Sequence, residues 1–363
     1  MKKLILTIAA LAVSAMFIEA GAQFLPCPIK PDETHLLYPQ GQNVDEGITK
    51  SALSNAPAAK KSRKKSAAPA LVKVKITEGP GESNNLEQKE VMDNGGGIYS
   101  VGDSARFDIY LPKSNPTKQM VVVCPGGSYA GLSSWNEGVY VAKWLTDNGI
   151  AACVMTYRMP NGHWEIPLTD VQNAFRYCRA NAERYGVDQI GIIGFSAGGH
   201  LAATTSTLYV DSITRPDFSI LIYPVITMDK KYTHMGTREN LLGREKYWED
   251  KVASGDKKAE AQHNGLIATY TLEKNITSDT PPTFIALSAD DSAVPPKNSL
   301  DYFQELVAHK VPCQLYIYPT GEHGWGFTTS EYRGDGKDGI GPYRQEFFTA
   351  LKRFLGEVRE STK

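Results

Sequence analysis

The sequence predicts an α/β fold in which a mostly parallel central sheet is covered by helices on both faces. Three observations carry that expectation. Short, almost continuous apolar runs recur at 120–124, 150–155, 189–193, 218–223, 283–287 and 313–318, the pattern of strands buried on both faces. Stripes of helical spacing fall between several of them. Ahead of them stand alternating stretches with one apolar face, which suit antiparallel opening strands.

The alternating stretches are 72–76 and 107–111, where apolar residues sit at every second position. Helical stripes are clearest at Val171, Ala174, Phe175, Cys178 and Ala182, then at Leu300, Phe303, Leu306 and Val307. The last is Phe347, Leu351, Phe354, Leu355 and Val358. From about 224 to 280 the alternation lapses into mixed polar sequence, which predicts an insertion after a sheet strand that caps the site. Residues 71–363 therefore read as one domain with a cap.

What precedes this domain has a different character. Met1-Lys2-Lys3, an apolar run from Leu4 to Ile18, and Ala20-Gly21-Ala22 follow the charged, apolar, small-residue order of a signal peptide. The apolar run is short for a membrane span of roughly 20 residues, so residues 1–22 are expected to be removed on export. The mature chain then has no membrane span and is periplasmic or secreted. Residues 23–70 lack periodicity and end in a basic block, Lys60-Lys61-Ser62-Arg63-Lys64-Lys65, and read as a flexible linker.

Composition sets further bounds. The 363 residues are 41% hydrophobic and 22% charged with a formal net charge of -1, enough apolar material for one large core. No basic stripe runs through the patterned region, which excludes nucleic acid as a partner. Five widely spaced cysteines are no disulfide scaffold, and most sit in apolar runs as small hydrophobes. No H-E-x-x-H, paired C-x-x-C or phosphate loop occurs, so no metal or nucleotide is implied.

The chemistry centres on Gly194-Phe195-Ser196-Ala197-Gly198. An apolar strand precedes it and a helical stretch follows, the strand-turn-helix context that gives the G-x-S-x-G pattern its meaning and makes Ser196 the candidate nucleophile. A serine hydroxyl needs a base and an orienting carboxylate, expected in the order Ser, Asp, His. Asp290 and Asp291 follow the strand at 283–287, where open α/β sheets assemble sites. His323 follows the strand at 313–318 on a loop with Gly321, Gly324 and Gly326. His35, His163, His200, His234, His263 and His309 lack such a setting, and His200 is expected to pack beneath the turn. Oxyanion donors are expected from the amide of Ala197 and from Gly127 or Ser128, in the Pro125-Gly126-Gly127-Ser128 loop after the strand at 120–124.

Pro125-Gly126-Gly127-Ser128-Tyr129, Tyr157-Arg158, Gly194-Phe195-Ser196-Ala197-Gly198-Gly199-His200, Asp291-Ser292-Ala293-Val294-Pro295 and His323-Gly324-Trp325-Gly326 occur in that order. With these motifs the chain, from about 71 to 355, resembles α/β-hydrolase esterases of the acetyl-xylan-esterase type. The resemblance implies Asp291, separated by two residues from Val294-Pro295, as the triad carboxylate, and His323 as the base. Trp325 stands where phenylalanine is usual, and Ser128 where glycine or alanine is. It also implies an acylated carbohydrate substrate and no cofactor. Tyr129, Trp135, Trp164 and Trp325, in loops on the site side, are expected to present flat faces to sugar rings. A feruloyl or other short-chain acyl esterase and a peptidase share the same fold and triad. A carbohydrate-binding protein with a vestigial triad is the alternative outside catalysis.

Overall fold

The computed structural model describes residues 25–38, 90–99, 101, 104–333, 336 and 338–361. The signal segment 1–22, most of the linker and the stretch 72–76 lie outside the described residues. Eight strands form the main sheet: β1 (Glu33–Leu36), β4 (Arg106–Tyr110), β5 (Gln119–Cys124), β7 (Ala151–Thr156), β8 (Gln189–Phe195), β9 (Ser219–Ile222), β10 (Thr283–Ser288) and β11 (Cys313–Tyr318). Their order is β1-β4-β7-β5-β8-β9-β10-β11. β1 and β4 run antiparallel to their neighbours, and the ladders from β7 to β11 are parallel. The remaining strands, β2 (Val91–Met92), β3 (Gly97–Tyr99) and β6 (Leu132–Ser133), make a small antiparallel sheet.

The apolar runs behave as interior strands because both of their faces are covered. Every residue of β5, β7, β8 and β10 is buried. Burying each of their Val, Ile or Leu side chains contributes roughly 1.5–3 kcal/mol. β11 departs from this: it is the sheet edge, half-buried, with Ile317 exposed. An edge strand lacks a neighbour to bury it, whatever its apolar content.

Helices flank the sheet: α1 (Tyr140–Asp147), α2 (Glu165–Ala180), α3 (Ser196–Thr207), α4 (Met235–Leu242), α5 (Glu245–Ala253), α6 (Lys257–Tyr270), α7 (Lys297–Ala308) and α8 (Arg344–Glu360). The stripe Phe347, Leu351, Phe354, Leu355 and Val358 is the buried face of α8. Between β9 and β10 the insertion folds as α4, α5 and α6. His234 caps α4 by accepting the amide of Thr237, and Asp256 caps α6 by accepting that of Ala259.

One stretch of the expected linker belongs to the fold. Glu33–Leu36 pairs with β4 as the outer strand of the main sheet. Just beyond it, the buried hydroxyl of Tyr38 donates to Asp170 Oδ1 (2.7 Å), and its ring lies 4.1 Å from the guanidinium carbon of Arg158. Arg158 and Asp170 form an ion pair whose side chains are wholly buried. The signal for this was weak, because four residues on an edge need only a ladder and two inward side chains.

Candidate active site

Ser196 sits at the carboxyl end of β8, an interior strand, and opens α3. Its φ is 53°, so the turn holds it in the left-handed region and lifts its side chain off the sheet. The tightness of the turn explains Gly198: a Cβ there would stand 2.2 Å from the carbonyl oxygen of Cys124.

Two loops from neighbouring strands meet this hydroxyl. His323 Nε2 lies 2.8 Å from Ser196 Oγ, and His323 Nδ1 lies 2.7 Å from Asp291 Oδ2. The other carboxylate oxygen of Asp291 accepts the amides of Ala293 (3.0 Å) and Val294 (2.8 Å), so a turn fixes the carboxylate before the imidazole reaches it. Asp290, the second aspartate after β10, points elsewhere: it accepts the amides of Gly321 (3.3 Å) and Glu322 (2.9 Å) on the histidine loop. Glu322 returns the tie by accepting from the amide (3.2 Å) and hydroxyl (2.8 Å) of Ser292.

The glycine loop after β5 faces Ser196 from the other side. Gly127, Ser128 and Tyr129 all have positive φ (138°, 55° and 57°), which turns successive amides inward. The amide of Gly126 is taken by Glu137 Oε2 at 2.7 Å. Among the described residues the amides of Gly127 and Ser128 have no acceptor, and neither does that of Ala197 in the first turn of α3. Gly127, Ser128 and Ser196 border one cavity of about 700 Å³, with Asn136, Glu137, His234 and Glu322 on its wall.

Sequence reasoning missed Glu137, which lies on a short π-helical turn, Trp135–Val139. Its carboxylate is buried, and burial pushes its pKa up. Besides the Gly126 amide it accepts the hydroxyl of Tyr223 (2.8 Å), which in turn accepts the amide of Gly326 (2.8 Å). The Tyr223 ring packs 4.7 Å from the His323 ring. One acid thus joins the glycine loop to the histidine loop. Asn136 adds a second link by donating to the carbonyl of Gly324 at 2.8 Å. A lone Glu between Asn and Gly carries no motif, and only its enclosure marks it.

The aromatic side chains do not line the site as expected. Tyr129 is buried, with its hydroxyl 3.1 Å from His200 Nδ1. Trp135 packs over Gly96 of the small sheet, and Trp164 precedes α2, where its carbonyl accepts from Tyr270. None of these three borders the cavity. Trp325 does, but it is 1% exposed, with its ring N–H donated to Ser288 and its ring in edge-to-face contact with Tyr223 and Phe347. His200 lies beneath the turn, wholly buried, its Nε2 donating to the Tyr270 carbonyl at 3.0 Å.

Residues 107–306 match the BD-FAE family model, a span that holds Ser196 and Asp291 and more than half of the chain. The chain belongs to the BD-FAE family. An acetylxylan esterase of Xylanibacter ruminicola is 38% identical over 229 residues, covering 62% of this chain and 44% of that protein. Endo-1,4-beta-xylanase B of Butyrivibrio fibrisolvens is 31% identical over 249 residues, covering 64% and 36%. The chain thus spans less than half the length of these two curated relatives. Among solved structures, an acetyl ester-xyloside bifunctional hydrolase from Caldicellulosiruptor lactoaceticus superposes with a TM-score of 0.57 at 30% identity, covering 70% of this chain and 88% of that one. The BD-FAE match and these neighbours bear out the resemblance to esterases of the acetyl-xylan-esterase type and the α/β-hydrolase fold. Among the described residues no helix is long and apolar enough to cross a membrane, and no group of side chains could hold a metal ion.

Proposed function

We propose that this chain is a serine carboxylic ester hydrolase that removes O-acetyl groups from xylan or xylo-oligosaccharides. The reading rests on one arrangement: the hydrogen-bonded series Ser196, His323, Asp291 beside three amides that have no acceptor among the described residues. Ser196 Oγ attacks the ester carbonyl while His323 Nε2 takes its proton, and the carbonyl oxygen gains charge beside the amides of Gly127, Ser128 and Ala197. Collapse of the tetrahedral intermediate breaks the bond to the sugar oxygen, which leaves with the proton from His323. Water, deprotonated by His323, then attacks the acetyl-enzyme, releasing acetate and restoring the Ser196 hydroxyl. Asp291 holds the imidazole in the tautomer that presents a bare Nε2 to the serine. No step in this scheme calls on a metal or organic cofactor.

The names of the relatives support the acetyl and xylan parts of this reading. Acetate release from acetylated xylo-oligosaccharides tests it beside feruloylated sugars, longer-chain esters and peptide amides. Acetate release that dominates the panel and disappears in Ser196→Ala is the expected result. Hydrolysis that survives Ser196→Ala, or a preference for feruloyl esters or amides, overturns it. We place the enzyme outside the cytoplasm on the strength of the leader-like residues 1–22. Mass analysis of the mature protein is expected to find cleavage after Ala22, and an intact Met1 in an extracytoplasmic fraction contradicts that.

A further inference from the structure

His234 belongs to the cap, not to the triad, yet it borders the same cavity as Ser196 and His323. Its place is fixed from both ends of α4. At the helix start its Nδ1 accepts the amide of Thr237 at 3.2 Å and lies 3.0 Å from the Thr237 hydroxyl. Near the helix end, Asn240 Nδ2 donates to the carbonyl of Ser128 at 2.8 Å, which ties α4 to the glycine loop. The triad residues His323 and Asp291 are the titratable groups close enough to act electrostatically on His234.

The hydrogen bond at Nδ1 decides the tautomer. A ring nitrogen that accepts a backbone amide carries no proton, so the neutral imidazole holds its proton on Nε2. Burial holds the ring in that neutral form by lowering its pKa, with the nearby His323 acting in the same direction. Nε2, separated from the capping nitrogen by Cε1, has no hydrogen-bond partner among the described residues. A single N–H donor is therefore left on the wall of the cavity that Ser196 and His323 also line, a wall that is polar and apolar in nearly equal measure.

We propose that His234 is a specificity-determining residue whose Nε2–H hydrogen-bonds an oxygen of the alcohol part of the ester. It would favour acetyl esters of sugars and other polyols over esters of hydrocarbon alcohols. This rests on the esterase reading above. Rejection follows from the unpaired donor: an alcohol without a second oxygen leaves Nε2–H desolvated with no acceptor, and a site built on such a donor discriminates against the analogue that lacks the group.

The test compares an acetyl xyloside with cyclohexyl acetate, which has a ring of similar size and no ring oxygens. The wild-type chain is expected to turn over the acetyl xyloside with a kcat/KM about tenfold higher or more, the size of one hydrogen bond to a neutral partner. His234→Asn is the informative variant, because the asparagine oxygen keeps the cap on α4 while its side chain ends at the δ position and carries no donor at the place of Nε2–H. In it the preference is expected to shrink about tenfold. An unchanged preference in His234→Asn overturns this inference, as does the absence of any preference in the wild type, a measurement that needs no variant. Turnover of neither ester by the wild type overturns the esterase reading, and this inference with it.

Discussion

His323 Nδ1 donates to Asp291 Oδ2 across 2.7 Å, while the other oxygen of Asp291 is already committed to the amides of Ala293 and Val294. The division of labour between the two oxygens makes Asp291→Asn a clean experiment. The amide oxygen keeps the place that faces the turn, so the amide nitrogen faces His323 and forces the proton onto Nε2. An imidazole in that tautomer cannot take the proton of Ser196. Turnover is expected to fall about 10⁴-fold with the melting temperature little changed. A fall of less than about tenfold in a folded protein means that Asp291 does not orient the base.

Asp290 acts on the same imidazole indirectly. Its carboxylate holds the amides of Gly321 and Glu322, and Glu322 has a φ of 51° immediately before His323. Asp290→Ala is expected to lower kcat by about tenfold at nearly constant KM, because the base drifts while the cavity stays open. Asp290→Asn should recover most of the loss, since its side-chain oxygen still accepts the nearer amide. A change confined to KM, or no recovery in Asp290→Asn, contradicts a positioning role.

These two aspartates also show where sequence reasoning reaches and where it stops. Adjacent Asp290 and Asp291 were visible at the end of an apolar strand, and the spacing to Val294-Pro295 chose between them by family likeness. What Asp290 does depends on a loop about thirty residues away, which no local pattern encodes. Ser196 and His323 were legible because glycine-rich turns after apolar strands are dictated locally by sterics. His234 was set aside since the cap has no period to place it, and Glu137 passed unnoticed since enclosure is a tertiary property. Tyr129 was misjudged for the opposite reason: it stands next to the oxyanion loop in sequence, yet its φ of 57° sends it inward. Adjacency to a motif says little about side-chain direction.

Tyr223 carries a load that its conservative replacement exposes. Tyr223→Phe removes the hydroxyl between Glu137 and the amide of Gly326 and leaves a buried acid and a buried N–H each short of one partner. Denaturant unfolding is expected to show a loss of about 1–3 kcal/mol. Turnover should fall as well, because Gly326 belongs to the loop that holds His323. Unchanged stability would mean that another donor, such as water, replaces the hydroxyl at Glu137.

His200 makes stability depend on pH in a window that the fold itself sets. Its ring is wholly buried between Tyr129 and Tyr270, and burial lowers its pKa from 6.5 to about 4. The folded chain therefore keeps this histidine neutral between those values, while the unfolded chain protonates it. The unfolded state binds the extra proton, so stability rises with pH across the window and is lost as pH falls from about 6.5 to about 4. Once the pH is below both values the loss comes to about 3 kcal/mol. His200→Gln, which retains a donor for the Tyr270 carbonyl, should be less stable at neutral pH but show a flatter dependence between pH 4 and 6.5. Urea unfolding at half-unit pH steps measures both slopes. Parallel slopes for wild type and variant would show that His200 is not the titrating group, and a slope of opposite sign would mean that the ring is charged inside the fold.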